Sequence, residues 1–178
     1  IQPKKGITLM PALSEDLTRR LKSEDFLSFA VTTTGLGRSE IAGILADYTA
    51  EVATGAQALA GVDLTGKRVL EVGAGIGLLS ISLAKAGCLI TALEPGANGF
   101  DANARLGSAV RTWLGAGDLP VLDIEVGGLD PDLHGRFDVI FSINVLEHIP
   151  DLEGAMLAMA RVLAPDGVMI HLCPNYTI

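Results

Sequence analysis

Three glycines, Gly73, Gly75 and Gly77, follow a short apolar run in "KRVLEVGAGIG". Glycine reaches positive φ without a steric penalty and lets backbone pass close to a ligand. The spacing is G-x-G-x-G, whereas the dinucleotide fingerprint is G-x-G-x-x-G; Leu78 stands where its third glycine belongs. The triphosphate loop G-x-x-x-x-G-K-[ST] is absent, so that ligand class is not expected. Glu71 lies two residues before the first glycine. A carboxylate there repels a pyrophosphate and suits a ligand bearing a positive amine. Tight strand–helix turns also use glycine for packing alone, so the turn by itself does not name a ligand.

A second carboxylate, Glu94, ends the apolar run "CLITALEPG". An acid at that offset from the glycines can accept both hydroxyls of a ribose; the plainer reading is a solvated loop residue. Further on, "FDVIFSINVLEHIPD" carries an apolar run into a polar segment with Asn144, Glu147 and His148. Histidine is the side chain suited to proton transfer near neutral pH, so His148 is a candidate general base or acceptor contact; otherwise it caps the turn before Pro150. His134, in "DPDLHGR", reads as solvated, and His171 lies inside an apolar run and can face either side of a sheet.

These residues need a scaffold that brings strand ends together. Apolar runs at 67–72, 88–93, 120–124, 137–143 and 167–173 alternate with helical stretches at 76–86, 99–114 and 151–163. Asp151 is the expected N-cap of the last helix, and "APDG" (164–167) reads as a turn. Such alternation predicts a mainly parallel α/β sheet with helices on both faces, binding ligands at the carboxyl ends of the strands. Residues 1–60 read as a helical extension, with Ser14 and Ser23 as N-caps. Ile41, Leu45, Tyr48 and Val52 share one helical face, which packs either as ordinary core or as a lid over the site.

Composition narrows the partners. Of 178 residues, 49% are hydrophobic and 19% charged, a globular balance. The net charge is −8, which argues against a broad phosphate-binding face, so no nucleic-acid partner is expected. Cys88 and Cys173 lack metal-like spacing and each lies in an apolar run; no disulfide and a reducing, cytoplasmic setting are expected. No apolar run reaches the ~18 residues of a membrane span.

Taken in order, "VLEVGAGIG", "LEP", "FDVIFSINVLEHI" and "LAPDGVMIHL" resemble the class I S-adenosylmethionine-dependent methyltransferases, and "VLEHI" resembles the quinone-biosynthesis and small-molecule branch. The resemblance covers residues 66–175. It implies a Rossmann-like doubly wound sheet of order 3-2-1-4-5, a core over 61–178, and a family fold of seven strands, of which the sixth and seventh are not expected in this chain. It implies S-adenosyl-L-methionine as methyl donor, S-adenosyl-L-homocysteine as product and a small-molecule acceptor. Glu71 would orient the donor's ammonium. Gly73, Gly75 and Gly77 would bring backbone against methionine and ribose. Glu94, with Pro95 beside it, would hold the ribose hydroxyls. Asp123 or Glu125 would meet the adenine, with spacing favouring Glu125 and the Val126 amide. Ile143 and Asn144 would flank the methionine portion. Quinone-type relatives hold a metal through E-x-x-E-H; here the segment is N-V-L-E-H, with Asn144 at the first acid, so no metal is expected. An NAD-type oxidoreductase and a catalytically inactive cofactor-binding module are the competing readings. Asn175 and Tyr176, at the end of the last expected strand, are candidate acceptor contacts or plain loop residues.

Overall fold

The structure is a computed structural model and describes residues 10–96 and 101–174. Five parallel strands form one sheet in the order β3-β2-β1-β4-β5. They are β1 (Arg68–Val72), β2 (Leu89–Leu93), β3 (Val121–Leu122), β4 (Phe137–Ile143) and β5 (Leu163–Leu172). The strand order reverses between β1 and β4, which are direct neighbours with Val69 opposite Val139 and Val72 opposite Ser142. In open α/β sheets the ligand crevice forms at such a reversal.

One face of the sheet is covered by α1 (Met10–Leu21), α2 (Glu24–Thr34), α3 (Arg38–Ala58), α4 (Leu78–Lys85) and α5 (Asp101–Leu114). The other is covered by α6 (Pro131–His134), α7 (Leu152–Val162) and a 3-10 turn at Val126–Gly128. The N-terminal helices share the core of the first face. Ile41, Leu45 and Val52 of α3 are buried together with Val69, Phe141 and Ile143 from the sheet. Aromatic packing fixes α2 on α5, with Phe26 edge-on to Trp113 at 5.6 Å between centroids.

Ser23 caps α2 by accepting from the Phe26 N–H, and Asp151 caps α7 by accepting from the Gly154 N–H. Ser14 is no cap: α1 begins at Met10 and runs through it. Pro11 in the first turn explains the earlier start, because a missing N–H costs nothing there. Helix α4 starts at Leu78 rather than 76, since Gly77 at φ 78° is still in the turn. Strand β3 keeps only two of five expected residues. Pro120 has no N–H to donate, and Asp123 turns its carboxylate to the Gly96 N–H instead.

The residues 164–167 are not a turn between elements. They lie inside β5, where pairing jumps from Phe137–Leu163 to Val139–Val168. Leu163 joins the ladder before the Pro-Asp-Gly segment bulges out, so strand replaces the expected turn. The loop "DPDLHGR" likewise contains α6, capped by Asp130 through the Asp132 N–H. His134 there is half-buried, and its Nδ1 accepts from the Asp130 N–H at 3.0 Å, so it is not the solvated residue its polar surroundings imply. His171 pairs with Ser142, with Nδ1 2.8 Å from the hydroxyl oxygen. Cys88 is half-buried and Cys173 exposed, and both are free thiols. Among the described residues no helix is long and apolar enough to cross a membrane. Asn175 and Tyr176 lie outside the described residues.

Candidate active site

Strands β1, β2 and β4 end around one cavity of about 580 Å³. Of the residues singled out by sequence, Gly73, Glu94, Pro95, Glu125, Ile143, Asn144 and His148 line it. Tyr48 and Glu51 of α3 close it from the helical side, and Val145 closes it from the segment after β4.

The glycine turn is held by backbone and by Glu94. The Gly73 and Ala74 N–H groups both donate to the Leu93 carbonyl, at 2.8 and 3.0 Å. Glu94 Oε2 accepts from the Gly75 N–H at 2.7 Å, so the end of β2 is tied to the turn after β1. All three glycines have positive φ, 72°, 55° and 78°. Their neighbours differ. A Cβ on Gly73 would lie 2.4 Å from Val145 Cγ2, and one on Gly75 would lie 2.1 Å from the Tyr48 ring. A Cβ on Gly77 would meet open space. Of the three, Gly73 is among the residues that line the cavity.

Glu71 is buried at 5% exposure, and the Ser80 hydroxyl of α4 donates to Oε2. Burial pushes its carboxyl up to about 8, against the pull of the Ser80 hydrogen bonds, with Glu51 and Glu94 adding to the rise. A second small cavity between Glu71, Gly73, Tyr48 and Glu51 adjoins this carboxyl. Glu51 is raised to about 7, first by burial and then by Glu147, Glu94 and Asp47. Glu94 is also raised, by burial, with the Gly75 N–H opposing. The phenol of Tyr48 is pushed well above its usual range by burial and by Glu94, Glu51 and Glu71, although the Asn103 amide donates to its oxygen at 2.8 Å. The wall is thus rich in carboxyl groups, and no Lys or Arg is among its described lining residues. The fit is to a ligand carrying positive charge.

Asn144 leaves β4 at φ 54°, the one non-glycine residue at positive φ among the described residues, and its N–H donates to the Leu172 carbonyl at 2.8 Å. Asparagine tolerates this conformation better than most residues. His148 is exposed at the rim, in a 3-10 turn at Leu146–His148, with Nε2 4.0 Å from Glu147 Oε1. Between the two candidates after β3, Glu125 lines the cavity, while Asp123 holds the Gly96 N–H at 3.1 Å. Val126 is buried against the α7 side. Among the described residues no group of His, Cys, Asp or Glu is arranged to hold a metal ion.

Tyr48 and Glu51 are lining residues that the motifs do not flag, whereas Val145 lies inside the "VLEHI" segment. Tyr48 stands out in sequence only as part of an apolar stripe. Glu51, three residues on and so on the same side of the helix, is a signal in that stripe that does point to a site.

The family model of a methyltransferase domain matches residues 44–178. The chain belongs to the class I S-adenosylmethionine-dependent methyltransferases. The methyltransferase domain is 40% identical over 111 residues to an uncharacterized protein of Mycobacterium tuberculosis, covering 62% of this chain and 37% of that protein. It is 37% identical over 111 residues to the ubiquinone biosynthesis O-methyltransferase of Marinobacter nauticus, covering 61% of this chain and 44% of the relative. The chain therefore spans less than half the length of these relatives. In fold, the methyltransferase domain is similar to the CcbJ methyltransferase of Streptomyces caelestis, with a TM-score of 0.51 and 20% identity over 68% of this chain and 48% of that one. Family membership sets aside the dinucleotide oxidoreductase, as the glycine spacing does independently.

Proposed function

We propose that the protein transfers a methyl group from S-adenosyl-L-methionine to a small-molecule acceptor, releasing S-adenosyl-L-homocysteine. The observation that carries this is the cavity at the β1/β4 reversal, lined by Glu51, Glu94 and Glu125, with no Lys or Arg among its described lining residues. When bound, the donor supplies an activated methyl on a positively charged sulfonium, and the protein's work is position and electrostatics. Glu71, with Ser80, meets the donor's ammonium, and its buried carboxyl regains charge when that cation arrives. Glu94 already ties the turn to β2 through Gly75, and its second oxygen is free of other described partners to accept a ribose hydroxyl. Glu125, on the cavity wall, is the residue for the adenine edge, with the Val126 backbone beside it. Pro95, Ile143 and Asn144 complete the walls, and His148 at the rim takes the acceptor's proton or orients the acceptor.

The helices of residues 1–60 belong to this site as much as to the core, because α3 supplies Tyr48 and Glu51 to the cavity. A cytoplasmic setting agrees with two unpaired thiols, and the acidic charge favours a small metabolite over nucleic acid. Calorimetric titration with S-adenosyl-L-homocysteine and with NAD tests the donor, and transfer to a panel of metabolites tests the reaction. Binding of NAD alone would sink the reading. Binding of the homocysteine product without transfer to any acceptor would favour an inactive cofactor-binding module.

A further inference from the structure

Glu51 has a position that the family motifs do not explain. It lies on α3, outside every glycine, ribose or adenine motif, yet it borders both the main cavity and the small one beneath it. Its helix is pinned there, because Tyr48, one turn earlier, sits on Gly75 and accepts from Asn103. The small cavity puts Glu51 on the same wall as Glu71 and Gly73. Among the described residues it has neither an ion-pair partner nor a hydrogen-bond donor.

The groups that face Glu51 are carboxyls: Asp47 from its own helix, Glu94 after β2, Glu147 after β4 and Glu71 on β1. Tyr48, Glu125 and His148 are the other titratable groups that line the same cavity. A half-buried carboxylate among four others is an unfavourable arrangement in the empty protein. It persists at low cost only if a proton or a cation relieves it. The methyl donor carries two positive charges, an ammonium and a sulfonium.

We propose that Glu51 is a donor-binding carboxylate contributed by α3 of the N-terminal helices, which engages the positive charge of S-adenosyl-L-methionine. This rests on the donor reading above. It makes α3 part of the donor site and gives the helical extension a binding role as well as a packing one. Glu51→Gln removes the charge at nearly constant size, so packing is kept.

The test is calorimetry on the whole protein with three ligands: S-adenosyl-L-methionine, S-adenosyl-L-homocysteine and 5′-methylthioadenosine. The first has both charges, the second only the ammonium, and the third neither cation. Losing one charge-assisted contact corresponds to about a tenfold weakening. We expect Glu51→Gln to weaken the methionine compound by about that factor and to leave methylthioadenosine within about twofold. A parallel loss for the homocysteine compound assigns Glu51 to the ammonium, and an unchanged homocysteine affinity assigns it to the sulfonium. Unchanged affinity for all three, or an equal loss for all three, overturns the proposal. Failure of the unmutated protein to bind any of them overturns the donor reading itself, a result separable from one confined to the variant. Glu51→Asp, which keeps the charge, should retain most of the preference for charged ligands; a loss as large as that of Glu51→Gln would mark a packing role instead.

Discussion

The ring of Tyr48 rests on the backbone of Gly75, so closely that a Cβ there would lie 2.1 Å from Cε1. This aromatic contact joins α3 to the glycine turn, in addition to the core packing that the N-terminal helices share with the sheet. Gly75→Ala must push that ring away and also strain φ 55°. Overpacking costs about 1–3 kcal/mol and a left-handed alanine about 1–2 kcal/mol. In a Tyr48→Ala background only the backbone strain remains. Urea denaturation of the two single variants and the double should therefore give strong non-additivity. A coupling energy near zero would show that the contact is absent in solution.

Gly77 provides the contrast. It has the same handedness, φ 78°, but no neighbour within 4 Å of a Cβ. Gly77→Ala should cost about 1–2 kcal/mol of stability from backbone strain alone. Homocysteine-product affinity, measured by calorimetry below the melting range, should stay within about twofold of the unmutated protein, a change under about 0.5 kcal/mol. A large loss of binding would show that the Gly77 backbone touches the ligand.

The strands and the core motifs are legible in sequence because both depend on local signals, and the strand order follows from the family resemblance that those motifs carry. Apolar runs of strand length fix β1, β2 and β4, and the glycines and Glu94 mark the ends of β1 and β2. What was hidden depends on contacts far apart in the chain. Leu163 pairs with Phe137 and pulls strand into what local chemistry marks as a turn. His134 turns back to the Asp130 N–H, which polarity alone does not reveal. Tyr48 and Asn103 are 55 residues apart and meet only because α3 and α5 cover the same face of the sheet. The site was legible where one motif carries one role. It was not legible where a helix outside the motifs supplies the wall.

Glu71 makes stability depend on pH. Its carboxyl is raised from 4.5 to about 8 in the folded protein, chiefly by burial. The folded state therefore holds more protons than the unfolded state between those values. Its contribution is fully present below about pH 4.5 and is lost as pH rises through about 8. Glu51, raised to about 7, acts in the same direction over a narrower window. Glu71→Gln keeps an acceptor for Ser80 and removes the titration. Thermal melts should show it gaining on the unmutated protein at pH 8.5 and matching it near pH 5. Equal differences at both values would mean that Glu71 is not the group responsible.

Asn144 is expected to tolerate glycine and little else. Its φ of 54° belongs to the left-handed region, and its N–H is committed to Leu172. Asn144→Gly should change stability by a few tenths of a kcal/mol, whereas Asn144→Val, β-branched at positive φ, should lose about 1–3 kcal/mol. Chemical denaturation of both variants checks this. If valine is as well tolerated as glycine, the chain leaves β4 in another conformation.

His148 is the residue whose role most depends on the acceptor. It is exposed, and its nearest charged neighbour, Glu147, is 4.0 Å away, too far for a hydrogen bond that would fix the ring. A base so loosely held gains its geometry only when substrate arrives, as catalytic hydrogen bonds often do. Two outcomes then separate cleanly once an acceptor is in hand. If His148 takes the acceptor's proton, His148→Gln should lower kcat by about 10²–10⁴-fold while homocysteine-product affinity is unchanged. If the donor and the walls act by proximity alone, kcat should fall less than about tenfold and the pH profile should keep its shape. Single-turnover rates from pH 6 to 9 decide between them, because a change in the shape of the pH profile is a signature that a packing residue cannot produce.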